Sequence, residues 1–141
     1  MSLHAVATVG LRTIQQIATL HDFQFHHDQN GLAITKELLT SSLPGAPVVD
    51  PNGHCIGFIS QFDVLAVLEG GRDVSQLTAK EIMVPNPIAI PISTTLAEAV
   101  RLMKHNHFLV LPVEENDVVI GCLTRQDLLR AWVDLGLEQK D

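Results

Sequence analysis

The chain has 141 residues, which suits one compact domain or two small units sharing a core. With 46% hydrophobic residues it has the material for that core and is not a disordered chain. A formal net charge of −7 argues against nucleic acid as the main partner, since that affinity comes largely from neutralising phosphates, and no apolar run reaches the roughly 20 residues of a membrane span.

The opening, "MSLHAVATVGLRT", lacks the basic head and apolar stretch of a secretory signal. Cys55 and Cys122 both lie in apolar, strand-like runs. Reduced, buried thiols in a cytoplasmic protein are therefore expected.

In chain order, "LRTIQQIATL" (11–20) predicts a short helix and "DFQFH" (22–26) a first strand. A helix follows over 31–42, "GLAITKELLTSS". Next comes a hairpin pairing 46–49 with 54–59 about "DPNG", then a helix over 61–69. After the junction "EGGRD" (69–73) the order begins again. "LTAKEIM" (77–83) is a short helix, and "PIAI" (87–90) is an apolar strand introduced by a turn-like "PN". Thr95 caps the following helix with Glu98 one turn in, and Leu96, Ala99, Val100 and Met103 share one face. "FLVLPV" (108–113) and "VVIGCL" (118–123) form a second hairpin about "EEND". Thr124 then opens a last helix carrying Leu128, Leu129, Trp132 and Val133.

These two runs are copies. "GFISQFDVL" (57–65) is answered by "GCLTRQDLL" (121–129), Pro47-Val48 by Pro112-Val113, and Ile56-Gly57 by Ile120-Gly121. Upstream, Leu32-Ala33 matches Leu96-Ala97 and Leu38-Leu39 matches Leu102-Met103. Each copy reads β-α-β-β-α, and three strands alone cannot cover both faces of their sheet. Two copies packed together can. The fold expected is α+β, with repeat 1 over 10–70 and repeat 2 over 74–135 related by a pseudo-two-fold axis.

The stretches "IMVPNPIAIPISTTLAEAVRLMKHNHFLVLPVEENDVVIGCLTRQDLLRAW" and "LPGAPVVDPNGHCIGFISQFDVLAVL" resemble a tandem pair of CBS domains, often called a Bateman module. The resemblance rests on apolar-Pro-Val before a turn, then Gly-apolar-apolar-Ser/Thr-x-x-Asp entering a helix, twice in register. "HDFQFHHDQN" (21–30) departs from it, being polar where the family prefers an apolar strand. The resemblance implies a regulatory module, not an enzyme and requiring no cofactor. It implies binding of AMP, ADP, ATP or S-adenosylmethionine in clefts between the repeats. It also implies a homodimer serving an unidentified regulated protein.

The residues permit two readings of the repeated box. Ser60-x-x-Asp63 and Thr124-x-x-Asp127 are capping boxes worth about 1 kcal/mol each, a generic pattern that Thr78-x-x-Glu81 and Thr95-x-x-Glu98 also fit. The other reading is a ligand site. A hydroxyl at a helix N-terminus stands beside free N–H groups that hold phosphate. An ionised aspartate one turn in accepts from the two adjacent hydroxyls of a ribose. Ala46-Pro47 and Leu111-Pro112 supply an apolar wall and edge backbone groups for a base, and Ala89 and His107 complete the candidate set. Arg125 beside Thr124, with His105 and His107, gives the second site positive charge where the first has Gln61 and Phe62. Phosphate is expected at the second.

Neither metal nor catalysis is expected. His21, His26, His27 and His105-x-His107 lack the companion ligands of a recognised site, and no nucleophile has a base partner. The alternative function is a ligand-free dimerisation or docking module in which both boxes are only caps. Its dimer surface would be the last helices, around Leu65, Leu68, Leu129 and Trp132.

Overall fold

A computed structural model describes residues 9–17 and 19–138, so most of the opening stretch, Ala18 and the last three residues lie outside the described residues. The first half comprises α1 (Ile14–Ile17), β1 (Phe25–His26), α2 (Gly31–Ser41), β2 (Gly45–Val49), β3 (Cys55–Ser60) and α3 (Gln61–Glu69). A 3-10 turn at Val74–Gln76 leads to the second half: α4 (Ala79–Ile82), β4 (Val84–Pro85), β5 (Ile90–Pro91), α5 (Leu96–Asn106), β6 (Val110–Glu115), β7 (Val118–Thr124) and α6 (Arg125–Glu138). The fold is α+β, two β-α-β-β-α repeats in pseudo-two-fold relation.

The sheets run β1-β2-β3-β4 and β5-β6-β7. In each, the first strand lies parallel to the second and the hairpin is antiparallel. Even the irregularities are duplicated, with register shifts at Val48/Val49 and at Val113/Glu114. The first strands are shorter than their apolar runs suggest. Turns closed by Gln29 N–H to the His26 carbonyl and Thr94 N–H to the Pro91 carbonyl end both after two paired residues. Pro47 and Pro112 precede those pairings, where a central strand behaves locally as an edge and tolerates a missing N–H.

The segment leading into each repeat packs on the other repeat. β4 pairs with β3, joining the second half's lead-in to the first sheet. Reciprocally, His21 bridges Cys122 of β7 through two 3.0 Å backbone hydrogen bonds. The helices follow the same exchange: Thr13 before α1 bridges Thr95, and Thr78 before α4 bridges Asn30. Val9 and Ile14 thus join a core with Leu96, Ala99, Leu111 and Leu123, while Ala79 and Ile82 join Phe25, Ile34, Val48 and Ile59. β2 is buried throughout and touches both β6 and β7, which places the junction of the repeats between the sheets.

The exchange explains the glycine of the repeated motif. A Cβ on Gly121 would stand 2.8 Å from Leu20 Cβ and 2.9 Å from the His21 carbonyl oxygen. One on Gly57 would strike the Met83 side chain, at 2.7 Å from Cγ. Both glycines lie beneath the crossing lead-in of the other repeat.

Helix caps correct the register upstream. Asn30 accepts from Leu32 N–H and Thr95 from Glu98 N–H, so both residues are N-caps. Buried Ile34 and Leu38 then correspond to buried Ala99 and Met103. Leu38-Leu39 therefore answers Met103-Lys104, one residue later than the sequence match.

Candidate ligand-binding clefts

Each Ser/Thr-x-x-Asp box lies where a hairpin's second strand becomes a helix. Ser60 is extended, with φ −100° and ψ 166°, and its Oγ accepts from Asp63 N–H at 3.1 Å. Asp63 Oδ2 accepts from Ser60 N–H at 2.7 Å and from Ser60 Oγ at 2.9 Å. The second copy repeats this: Asp127 Oδ2 accepts from Thr124 N–H at 2.7 Å and Oγ1 at 2.8 Å, and Thr124 Oγ1 accepts from Asp127 N–H at 3.2 Å. Capping is therefore real in both. It engages only Oδ2, and among the described residues no donor reaches Oδ1 of either aspartate.

A cleft opens beside each box. The first, about 470 Å³, is lined by Pro44, Phe58, Ser60 and Asp63 of repeat 1, Val84–Ile88 of the lead-in, and His107–Val110 with Pro112 of repeat 2. The second, about 520 Å³, joins Thr124, Arg125, Asp127 and Arg130 to Ser42–Pro44 of repeat 1 and to His21. Both volumes fall in the range of small-molecule sites. In the second cleft His21 Nε2 lies 2.9 Å from Asp127 Oδ2. Arg125 is exposed in the first turn of α6 and forms no ion pair with a described residue.

Thr124, Arg125 and Asp127 thus come together, as do Ser60 and Asp63. His107 and Pro112 line the Ser60 cleft rather than the Thr124 cleft. Ala46, Pro47, Leu111 and Ala89 line neither. Ala46 and Leu111 are 0% exposed because their side chains belong to the packed sheet faces, and Pro47 is likewise buried. Ile88 lines the first cleft where Ala89 does not. Missing from the sequence reading are the lead-in residues His21 and Val84–Ile88, whose partners are distant in sequence and leave no local periodicity. The repeated glycine was the available signal, since it requires a chain crossing above it.

A further cavity, about 710 Å³, lies elsewhere: an apolar groove between α5 and α6 including Val100, Met103, Leu128, Leu129 and Trp132. Among the described residues no three His, Cys, Asp or Glu side chains gather to hold a metal ion. Burial pushes the Cys55 thiol up to about 11 and Cys122 up to about 12, making both poor nucleophiles. No described helix is long and apolar enough to cross a membrane.

Comparison with known proteins decides the family. The CBS domain model matches residues 31–70 and 79–134. The chain belongs to the CBS domain family. This CBS pair is 28% identical over 132 residues to the chloroplastic CBS domain-containing protein CBSX2 of Arabidopsis thaliana, over 74% of this chain and 56% of that protein. It thus spans about half the length of this curated relative. The crystal structure of CBSX2 in complex with AMP is similar at TM-score 0.75 and 26% identity, over 87% of this chain and 97% of that one. The CBS domain pair of protein MJ0100, solved with 5′-methylthioadenosine and S-adenosyl-L-methionine, shares the fold at TM-score 0.75 and 21% identity, over 88% and 98% of the two chains.

Proposed function

We propose that this CBS pair is a non-catalytic regulatory module that senses an adenine nucleotide or related adenosyl ligand in the clefts between its repeats. One observation carries the reading. In each cleft an aspartate is held through one oxygen by its own cap, and among the described residues the other oxygen has no donor. A ribose supplies the two donors that such an acceptor suits. In the second cleft the exposed Arg125 side chain, beside Thr124, receives phosphate, and in the first Phe108, Val110 and Pro112 offer apolar surface to a base. The AMP complex of CBSX2 and the adenosyl complexes of the MJ0100 pair support the same class of ligand.

The proposal includes a cytoplasmic homodimer acting on a protein that the sequence does not identify. Leu65, Leu68 and Leu129, on the terminal helices of the repeats, are 56%, 48% and 67% exposed, apolar side chains that a second copy would cover. The α5/α6 groove favours a second reading, in which the pair is a ligand-free dimerisation or docking module. Calorimetry of the intact chain with AMP, ADP, ATP and S-adenosylmethionine separates the two. Saturable heat with any of them supports sensing; no heat and no thermal shift at millimolar ligand leaves the docking reading.

A further inference from the structure

The clefts share geometry but not charge. Aligning the two boxes places Gln61 at the position of Arg125 and Ala66 at that of Arg130. In the pairing beside the motif glycine, Val84 stands opposite Phe58 in the first half where His21 stands opposite Cys122 in the second. All three basic side chains of the second cleft are thus lost from the first. Gln61 is also committed elsewhere, donating from Nε2 to the Leu43 carbonyl at 3.2 Å. Among the described residues, Asp63 is the one titratable group lining the first cleft apart from the imidazole of His107, amid apolar Phe58, Val84, Ile88 and Phe108.

A phosphate entering that cleft gives up its water, meets a carboxylate and finds no basic side chain other than His107. A neutral 5′ substituent avoids this cost, and a cationic one is attracted by Asp63. Resting on the reading of these clefts as adenosyl sites, we propose that the first takes an adenosine bearing an uncharged or cationic 5′ group and rejects phosphate. The second takes a phosphorylated adenosine, so the module holds two different adenosyl ligands at once.

The test is calorimetry of the intact chain at pH 8, above the ordinary titration range of histidine, with 5′-methylthioadenosine, S-adenosylmethionine and AMP. The first two bind unchanged in Arg125→Ala and Asp127→Asn, and roughly ten-fold more weakly in Asp63→Asn. AMP shows the reverse pattern, and at saturating AMP methylthioadenosine still binds with unchanged stoichiometry. Asp63 also caps α3, so Ile88→Lys supplies an independent arm at a side chain 39% exposed on the cleft wall. Its ammonium weakens S-adenosylmethionine roughly ten-fold and adds a second AMP site. Competition of AMP and methylthioadenosine for one site overturns the division, as does Asp63→Asn weakening AMP as much as Arg125→Ala does. An Ile88→Lys variant that binds like wild type overturns it too. Absence of heat with all three ligands overturns the adenosyl reading itself, a result distinct from competition.

Discussion

Replacing Gly121 by alanine tests the exchanged lead-in directly. The added methyl meets Leu20 Cβ at 2.8 Å and the His21 carbonyl oxygen at 2.9 Å, and the residue's φ of +159° suits glycine. Overpacking of this kind costs about 1–3 kcal/mol, and a disfavoured backbone adds about 1–3 kcal/mol. A loss of about 2–6 kcal/mol follows. Gly57→Ala meets Met83, whose thioether end can turn aside, so only the overpacking cost applies, about 1–2 kcal/mol. At roughly 3 °C per kcal/mol for a chain of this length, the falls in Tm are about 6–18 °C and about 3–6 °C. Thermal and urea unfolding measure the difference. Hydrogen exchange locates it, because Cys122 N–H donates to the His21 carbonyl at 3.0 Å and loses protection when the segment lifts. A Gly121→Ala protein that melts with the wild type, or a costlier Gly57→Ala, would refute the reasoning.

Asp127→Asn removes the charge but keeps an acceptor, so AMP affinity should fall roughly ten-fold while Tm moves little. Thr124→Ala should lower both, since that hydroxyl also caps α6 at a worth of about 1 kcal/mol. Cys122 is 0% exposed, and its thiol, raised from 9.0 to about 12, holds about a thousandth of the usual thiolate at pH 8. Iodoacetamide should therefore label it only on unfolding, which mass spectrometry of urea-treated samples reads. The sign for stability follows from the same shift: a folded pKa above the unfolded one means stability is lost as pH climbs from about 9 towards about 12. Leu129→Lys, at an exposed helix position, should convert dimer to monomer in sedimentation with little change in Tm, and an unchanged sedimentation coefficient would count against the proposed interface.

Repetition made most of the fold legible. The hairpins, both long helices of each repeat and the boxes at 60–63 and 124–127 follow from local pattern, because their partners are near in sequence. The length of β1 and β5 does not, since a parallel pair is ended by the turn after it rather than by its own residues. The one-residue slip at Leu38-Leu39 arose because leucine runs match in several registers, whereas the caps at Asn30 and Thr95 allow one. The candidate site was half visible. Polar residues at helix starts announced themselves, but apolar-Pro pairs pointed to Ala46 and Leu111, which serve the core. His21 and Val84–Ile88 reach the clefts only through the crossing of each lead-in onto the opposite sheet.

That crossing bears on how a ligand could be sensed. Neither cleft belongs to one repeat: the first joins Asp63 to Val84–Ile88 and Pro112, the second joins Asp127 to His21 and Ser42. Pro44 and Leu109 line both clefts and so form a shared wall. A ligand that displaces this wall in one cleft reshapes the other without any longer route through the protein. Its leverage is set by differential affinity: a ten-fold preference for one arrangement of the repeats shifts their equilibrium by about 1.4 kcal/mol, and equal affinity shifts nothing. Linkage makes the effect reciprocal, so occupancy of the first cleft must change affinity in the second by the same factor as the converse. On the proposed reading, two unlike clefts with a common wall would report the joint occupancy of two adenosyl ligands rather than the level of either alone.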